Sequence, residues 1–91
     1  MALVTDRVRE RAVEDFGTAS TRVLSTLEKL PIASGVDPER VHAAVVMSAR
    51  GSIGLFDDAA EHAAEDWRDL LDRAGLADSD WPERVRDHFG L

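Results

Sequence analysis

The chain has 91 residues, of which 44% are hydrophobic, a formal net charge of −7 and no cysteine. This length predicts one domain, residues 1–91, with enough apolar residues for a single core. The absence of cysteine excludes disulfides, thiolate zinc sites and thiol nucleophiles, and the negative charge argues against nucleic-acid binding because it repels phosphate backbones.

The N-terminus lacks the pattern of a secretory signal peptide. Its first charged residue is Asp6, so the basic and apolar regions of a signal peptide are missing. The longest uncharged stretch in a helical pattern, residues 41–49, is far shorter than the roughly 20 residues of a membrane span. We therefore expect a soluble, cytoplasmic protein without a membrane partner.

The first predicted helix covers residues 3–30. Its apolar residues recur every three or four positions, from Val4 and Val8 onwards, as on one face of a helix. Gly17 interrupts the composition but not the phase of this stripe, so we predict one continuous helix, with any bend at that glycine. Pro31 ends the helix.

The second predicted helix covers residues 38–50. Asp37 is placed as its N-cap, and Pro38 occupies the first helical position, where a missing N–H is harmless. Between Arg40 and Arg50 no residue carries a formal charge, and apolar residues lie on nearly all sides. Because this pattern is typical of a buried helix, we predict that the second helix is the centre of the bundle.

The third predicted helix, residues 53–74, combines an apolar face with an acidic face. Phe56 and Trp67 lie on the apolar side, and we expect Trp67 to be a core anchor. Gly75 is placed to end the helix in a left-handed cap. Residues 57–75 contain seven acids against two arginines, so much of the negative charge lies here.

A short fourth helix is predicted over residues 81–89. Trp81 precedes a proline at its start, which suits a hydrophobic contact closing the helix over the bundle. The alternative is an exposed aromatic anchor for a partner protein. The predicted fold class is therefore all-α, a small helical bundle with three main helices (about 3–30, 38–50 and 53–74) and a short C-terminal helix (about 81–89).

Three segments of the C-terminal third stand out: DWRDLL at residues 66–71, AGLA at 74–77 and DWPER at 80–84. Together they resemble the C-terminal part of short uncharacterised helical proteins of high-GC bacteria. The resemblance implies a small helical protein with paired tryptophans. It carries over no activity.

One cluster on the third helix has the chemistry of metal ligands. His62, Glu65, Asp66 and Asp69 bring an imidazole and carboxylates to one flank, and zinc or a di-iron pair takes such donors. A di-iron bundle also needs matching glutamates that point inward from facing helices, and no other helix has them. Arginines three and four residues from these acids favour a salt-bridged exposed face, so we predict neither a metal nor a cofactor.

The function favoured by these patterns is a protein–protein interaction or regulatory module that acts through helix faces. The spacing of serine, histidine and acidic residues matches no catalytic set, so an enzyme is the weaker hypothesis but stays open. The alternative is a metal-binding protein or metal-dependent enzyme that uses His62 and its neighbouring carboxylates. The candidate interaction residues are Val4, Val8 and Trp81.

The apolar stripe of the first helix covers about half its circumference, more than a three-helix bundle can bury. We therefore expect Val4 and Val8 to be exposed. A two-fold homodimer that packs the first helix against its mate would cover them. Besides this homodimer, the sequence predicts an unidentified protein partner.

Overall fold

The computed structural model describes residues 3–90, which fold into a bundle of helices without a β-strand. This part of the chain forms six α-helices: α1 (Asp6–Phe16), α2 (Ser20–Lys29), α3 (Pro38–Ala49), α4 (Ile53–Glu65), α5 (Trp67–Ala74) and α6 (Trp81–Phe89). A short 3-10 helix, Gly17–Ala19, joins α1 to α2. The predicted all-α fold class is confirmed. None of the helices within residues 3–90 is long and apolar enough to cross a membrane.

The first predicted helix is divided into α1 and α2, which fold back against each other. Arg9 Nη2 lies 3.7 Å from Glu28 Oε1, whereas a continuous helix would place these residues about 28 Å apart. The chain turns at Gly17, whose φ of 53° is a conformation that side chains disfavour. The prediction of one helix over residues 3–30 is therefore wrong, because the apolar spacing keeps its phase across the turn and hides the reversal.

This reversal buries the residues that the sequence predicts to be an exposed patch. Val4 is only 6% exposed and Val8 is fully buried, in the same core cluster as Val23 and Leu27 of α2. Helices α2, α3 and α6 all pack against α1. The expectation that Val4 and Val8 are available for interaction is wrong, because the monomer itself covers the stripe.

Helix α3 is the central element, as its pattern predicts. The Asp37 side chain caps it by accepting a hydrogen bond from the backbone N–H of Glu39 at 2.9 Å, and Pro38 is its first residue. Seven of its 12 residues are buried, and it packs against α1, α4, α5 and α6. Because α3 touches helices on several sides, it carries apolar side chains around most of its circumference.

The third predicted helix is also a pair of helices that fold back on each other. Asp66 has φ −152° and ψ 84°, so it leaves the helical conformation between α4 and α5. The reversal brings Arg73 Nη1 to 3.6 Å from Asp58 Oδ2, although a continuous helix would separate these residues by about 22 Å. The predicted single helix over 53–74 is wrong at Asp66, and Trp67 becomes a half-buried residue at the start of α5.

A charged contact fixes α1 on α3 near their N-terminal ends. Arg7 donates from Nε to Glu39 Oε2 at 2.8 Å and from Nη2 to Oε1, and Thr5 Oγ1 donates to Oε2 at 2.6 Å. The hydrogen bonds from Arg7 lower the pKa of the Glu39 carboxyl, and they outweigh burial, which acts in the opposite direction. Glu39 is therefore a carboxylate that the folded state prefers in its charged form.

Candidate functional site

A cleft of about 630 Å³ opens where α1, the α3–α4 turn, α5 and α6 meet. Its lining consists of Arg11, Asp15, Val46, Met47, Ser48, Arg50, Gly51, Leu55, Arg73, Ala74, His88 and Phe89. This volume lies within the range of ligand pockets, which combine an apolar wall with a few placed polar groups. Three arginines and a histidine face a single carboxylate here, although the whole protein is strongly acidic.

Arg11 is held on the cleft wall by contacts from two helices. Its Nε donates to the two carboxylate oxygens of Asp15 at 3.1 and 3.2 Å, and its Nη1 donates to the carbonyl of His88 at 2.6 Å. The guanidinium carbon lies 5.5 Å from the ring centroid of Phe89, a cation–π contact. These contacts tie α6 to α1 and fix the guanidinium before any ligand arrives.

Arg50 ends α3 with an uncommon backbone conformation. Its φ of 50° and ψ of 37° are left-handed, and no other non-glycine residue in the described chain has a positive φ. This conformation costs a residue with a Cβ about 1–2 kcal/mol, which is why glycine or asparagine usually occupies it. The side chain is exposed and forms no salt bridge within residues 3–90. Arg50 therefore gives the cleft lining a cation that has no ion-pair partner in the described part of the chain.

Arg73 and His62 form a small network beside the cleft. Arg73 Nη1 lies 3.4 Å from His62 Nδ1, and His62 Nε2 lies 2.9 Å from Asp69 Oδ2. A neutral imidazole with its proton on Nε2 satisfies both contacts, because it accepts at Nδ1 and donates at Nε2. The network links α4 to α5 and uses both nitrogens of His62.

The predicted cluster of His62, Glu65, Asp66 and Asp69 does not come together as a metal centre. The Asp66 carboxylate accepts a hydrogen bond from the backbone N–H of Asp69 at 3.2 Å and so caps α5. Glu65 is exposed at the end of α4. Within residues 3–90, no three metal-ligating side chains are grouped so as to hold an ion. The cluster was expected on one helical flank. The break at Asp66 instead uses the Asp66 carboxylate as a cap, and it brings Asp69 to His62.

Trp81 is half-buried and packs against the core at the start of α6. The guanidinium carbon of Arg40 lies 5.6 Å from its ring centroid. The same arginine donates hydrogen bonds to the carbonyls of Leu76 and Ala77, both at 2.8 Å. This packing agrees with the helix-closing alternative for Trp81 and places the ring away from the cleft lining.

His42 is a buried titratable group on α3, outside the cleft. Its side chain is fully buried, and neither ring nitrogen has a hydrogen-bond partner of good geometry among the described residues. Burial lowers the pKa of His42, and this effect outweighs the opposing influence of the Leu27 carbonyl and of nearby carboxylates. The imidazole is therefore neutral in the folded protein near pH 7.

The sequence predictions did not include the cleft residues as a site. Arg11, Arg50, Arg73 and His88 are far apart along the chain and lie on different helices. One local signal exists: a buried helix ends in Arg50–Gly51, with a bulky cation where a cap usually has glycine or asparagine. An arginine at a cap position that prefers glycine or asparagine is the local feature that distinguishes Arg50 in the sequence.

Comparisons with family models, with curated proteins and with solved structures gave no match to this chain. The resemblance of the C-terminal third to short helical proteins of high-GC bacteria stays a prediction.

Proposed function

We propose that the protein is a binding module whose partner protein docks in the cleft between α1, the α3–α4 turn and α6. The observation that carries this proposal is the lining itself, which combines the 42% exposed side chain of Leu55 with Arg11, whose guanidinium is held in place by Asp15 and the His88 carbonyl. Preorganised polar groups around an apolar surface reduce the ordering cost of binding. A regulatory role through this surface follows if the partner is an enzyme or a transcription factor.

The cleft supports binding better than catalysis. Ser48 is the serine of the lining, and its Oγ is buried without a hydrogen-bond partner in the described chain. An activated serine needs a base within hydrogen-bond reach, and no hydrogen bond joins Ser48 to His88. His62, the histidine of the alternative metal hypothesis, already uses both ring nitrogens within the protein.

A displayed random hexapeptide library tests the proposal, with two matched variants of the protein as baits. Leu55 is 42% exposed and lines the cleft, whereas Val13 is 51% exposed on α1 outside it. Leu55→Asp places a charge on the apolar wall, and Val13→Asp makes the same change at a comparably exposed control position. Peptides selected on the wild-type protein are expected to bind Leu55→Asp about tenfold or more weakly. Their affinity for Val13→Asp should stay within roughly twofold.

Two results would contradict the proposal. The first is a library that yields no peptide with reproducible binding to the folded wild-type protein. The second is a set of peptides that bind Leu55→Asp as well as the wild type, since these would use a different surface. Far-UV circular dichroism of both variants checks that each remains folded.

The homodimer through the first predicted helix stays a prediction, although Val4 and Val8, the residues expected at its contact, are buried. Sedimentation velocity of the wild-type protein over a concentration series tests it. A cytoplasmic location likewise stays a prediction.

A further inference from the structure

The charge of the cleft is opposite to that of the whole protein. Arg11, Arg50 and Arg73 line it with Asp15 as the only acid, in a chain whose net charge is −7. The three arginines come from α1, the end of α3 and α5, so the tertiary structure assembles the positive charge. A recess lined by charge of one sign concentrates ions of the opposite sign. The described lining therefore has two more arginines than carboxylates.

Arg50 differs from the other two arginines of the cleft in its contacts and its backbone. Arg11 and Arg73 have carboxylate neighbours within the protein, at 3.1 and 3.6 Å. Arg50 has none among residues 3–90, and it keeps a left-handed backbone that glycine or asparagine would adopt at lower cost. Backbone strain that the structure maintains beside a recess indicates a role for the side chain that carries it.

We propose that the cleft takes an acidic segment of a partner protein, in which carboxylates alternate with apolar side chains. This inference rests on the proposed function and names the chemistry of the docked partner. A carboxylate pairs with the Arg50 guanidinium through two parallel hydrogen bonds. An adjacent apolar side chain packs against Leu55 and Phe89, which line the same cleft.

The lining favours a peptide segment over a small anion. Arg50 is the arginine of the lining without a carboxylate neighbour among residues 3–90, and Leu55 and Phe89 line the same cleft. A segment with both a carboxylate and an apolar side chain therefore contacts more of the lining than a small carboxylate does. An extended polyanion such as nucleic acid would cross much more of the acidic surface than a short segment within the cleft, and that surface repels it. A second copy of this chain has an acidic face but also a net charge of −7, so mutual repulsion opposes that pairing.

The test compares hexapeptides selected on the wild type with those selected on Arg50→Asn. Asparagine tolerates the left-handed backbone, so the variant loses the cation without a forced change of fold. Arg86→Gln is the matched control, because Arg86 is an exposed arginine of α6 outside the cleft lining and its loss changes the net charge equally. Wild type and Arg86→Gln should enrich peptides rich in glutamate and aspartate, and Arg50→Asn should not.

The strongest selected peptide is then titrated by fluorescence anisotropy, together with a version in which glutamines replace its glutamates. Loss of a charge-assisted contact predicts about tenfold or more weaker binding for the glutamine version, and for the original peptide on Arg50→Asn. Binding to Arg86→Gln should change by roughly twofold or less. Added salt should weaken the original peptide more than the glutamine version.

The outcomes separate this inference from the proposed function. If the glutamine version binds as tightly as the original and Leu55→Asp weakens both, the cleft is a docking site but the acidic partner is wrong. If Leu55→Asp weakens neither peptide, or the library yields no binder, the proposed function fails and this inference fails with it. If sodium hexanoate displaces the labelled peptide at a lower concentration than the unlabelled peptide does, the occupant is a small carboxylate and the inference is overturned. Displacement by unlabelled protein would overturn it in favour of a second copy.

Discussion

Replacing Arg50 by glycine should stabilise the protein, because the wild-type backbone at this position is unfavourable for any residue with a Cβ. With φ 50° and ψ 37°, Arg50 bears a steric cost of about 1–2 kcal/mol. Glycine removes that cost, but its greater freedom in the unfolded chain reduces the gain by about 0.5–1 kcal/mol. The Arg50 side chain is exposed and without a salt bridge in the described chain, so little other stability is lost.

The net expectation is a stabilisation of about 0.5–1 kcal/mol, equivalent to a rise in Tm of roughly 2–8 °C for a domain of this size. Thermal melts followed by far-UV circular dichroism, with urea titrations at one temperature, measure it. Arg86→Gly is the control, since it makes the same substitution within α6, where glycine should cost about 0.5–1 kcal/mol. The two variants should therefore shift the Tm in opposite directions.

A Tm for Arg50→Gly at or below the wild-type value, with the expected loss in Arg86→Gly, would refute the left-handed conformation of Arg50 as a source of strain. A more stable Arg50→Gly protein that has lost affinity for the selected peptides would show that this position trades stability for binding. Such trade-offs are common where a functional residue violates a local preference.

Three further perturbations test the core and its titratable groups. Phe56 is fully buried and packs edge-on against another ring, so Phe56→Ala should cost about 3–5 kcal/mol in urea unfolding, clearly more than Trp67→Ala at a half-buried position. Arg7 holds the pKa of Glu39 below its ordinary value of 4.5. The stability that the Arg7–Glu39 contact contributes is therefore present above pH 4.5 and is lost as the pH falls through the folded-state pKa of Glu39. The stability of Glu39→Gln should consequently fall less on acidification, and parallel acid titrations of the two proteins measure the difference. Burial lowers the pKa of His42 below its ordinary value of 6.5, so stability should fall as the pH drops below that value, by at most about 1.4 kcal/mol per pH unit. His42→Leu should remove the part of the pH dependence of stability that is due to His42. Urea titrations at about pH 7.5 and about pH 5.5 measure it. An equal loss of unfolding free energy in the wild type and in His42→Leu would contradict the lowered pKa of His42.

Local sequence rules were sufficient for the fold class and for the start and position of α3. Asp37 and Pro38 predict a helix start because their preferences act within one turn of the backbone, and the structure has that cap. The uncharged stretch after Arg40 predicts a central helix because only a surrounded helix can bury apolar residues on most of its sides. These features depend on neighbours in the chain, so they are visible without a tertiary structure.

The reversals at Gly17 and Asp66 could not be predicted from periodicity. A hydrophobic stripe that keeps its phase fits a straight helix and a helical hairpin equally well, because both bury the same face. At Gly17 the cost of glycine in a helix is small enough for either outcome, and packing of α2 on α1 decides it. At Asp66 the carboxylate caps the next helix, which makes the break favourable.

The amino-acid sequence alone determined that this protein is an acidic bundle of helices around a central α3, because capping, periodicity and composition act locally. Only the tertiary structure decided which side chains meet. It buried Val4 and Val8 beneath helices that return along the chain, and within residues 3–90 it grouped no three candidate metal ligands so as to hold an ion. It also brought Arg11 and Arg50 to one cleft, since their meeting depends on how α1, α3 and α6 pack and no spacing along the chain encodes it.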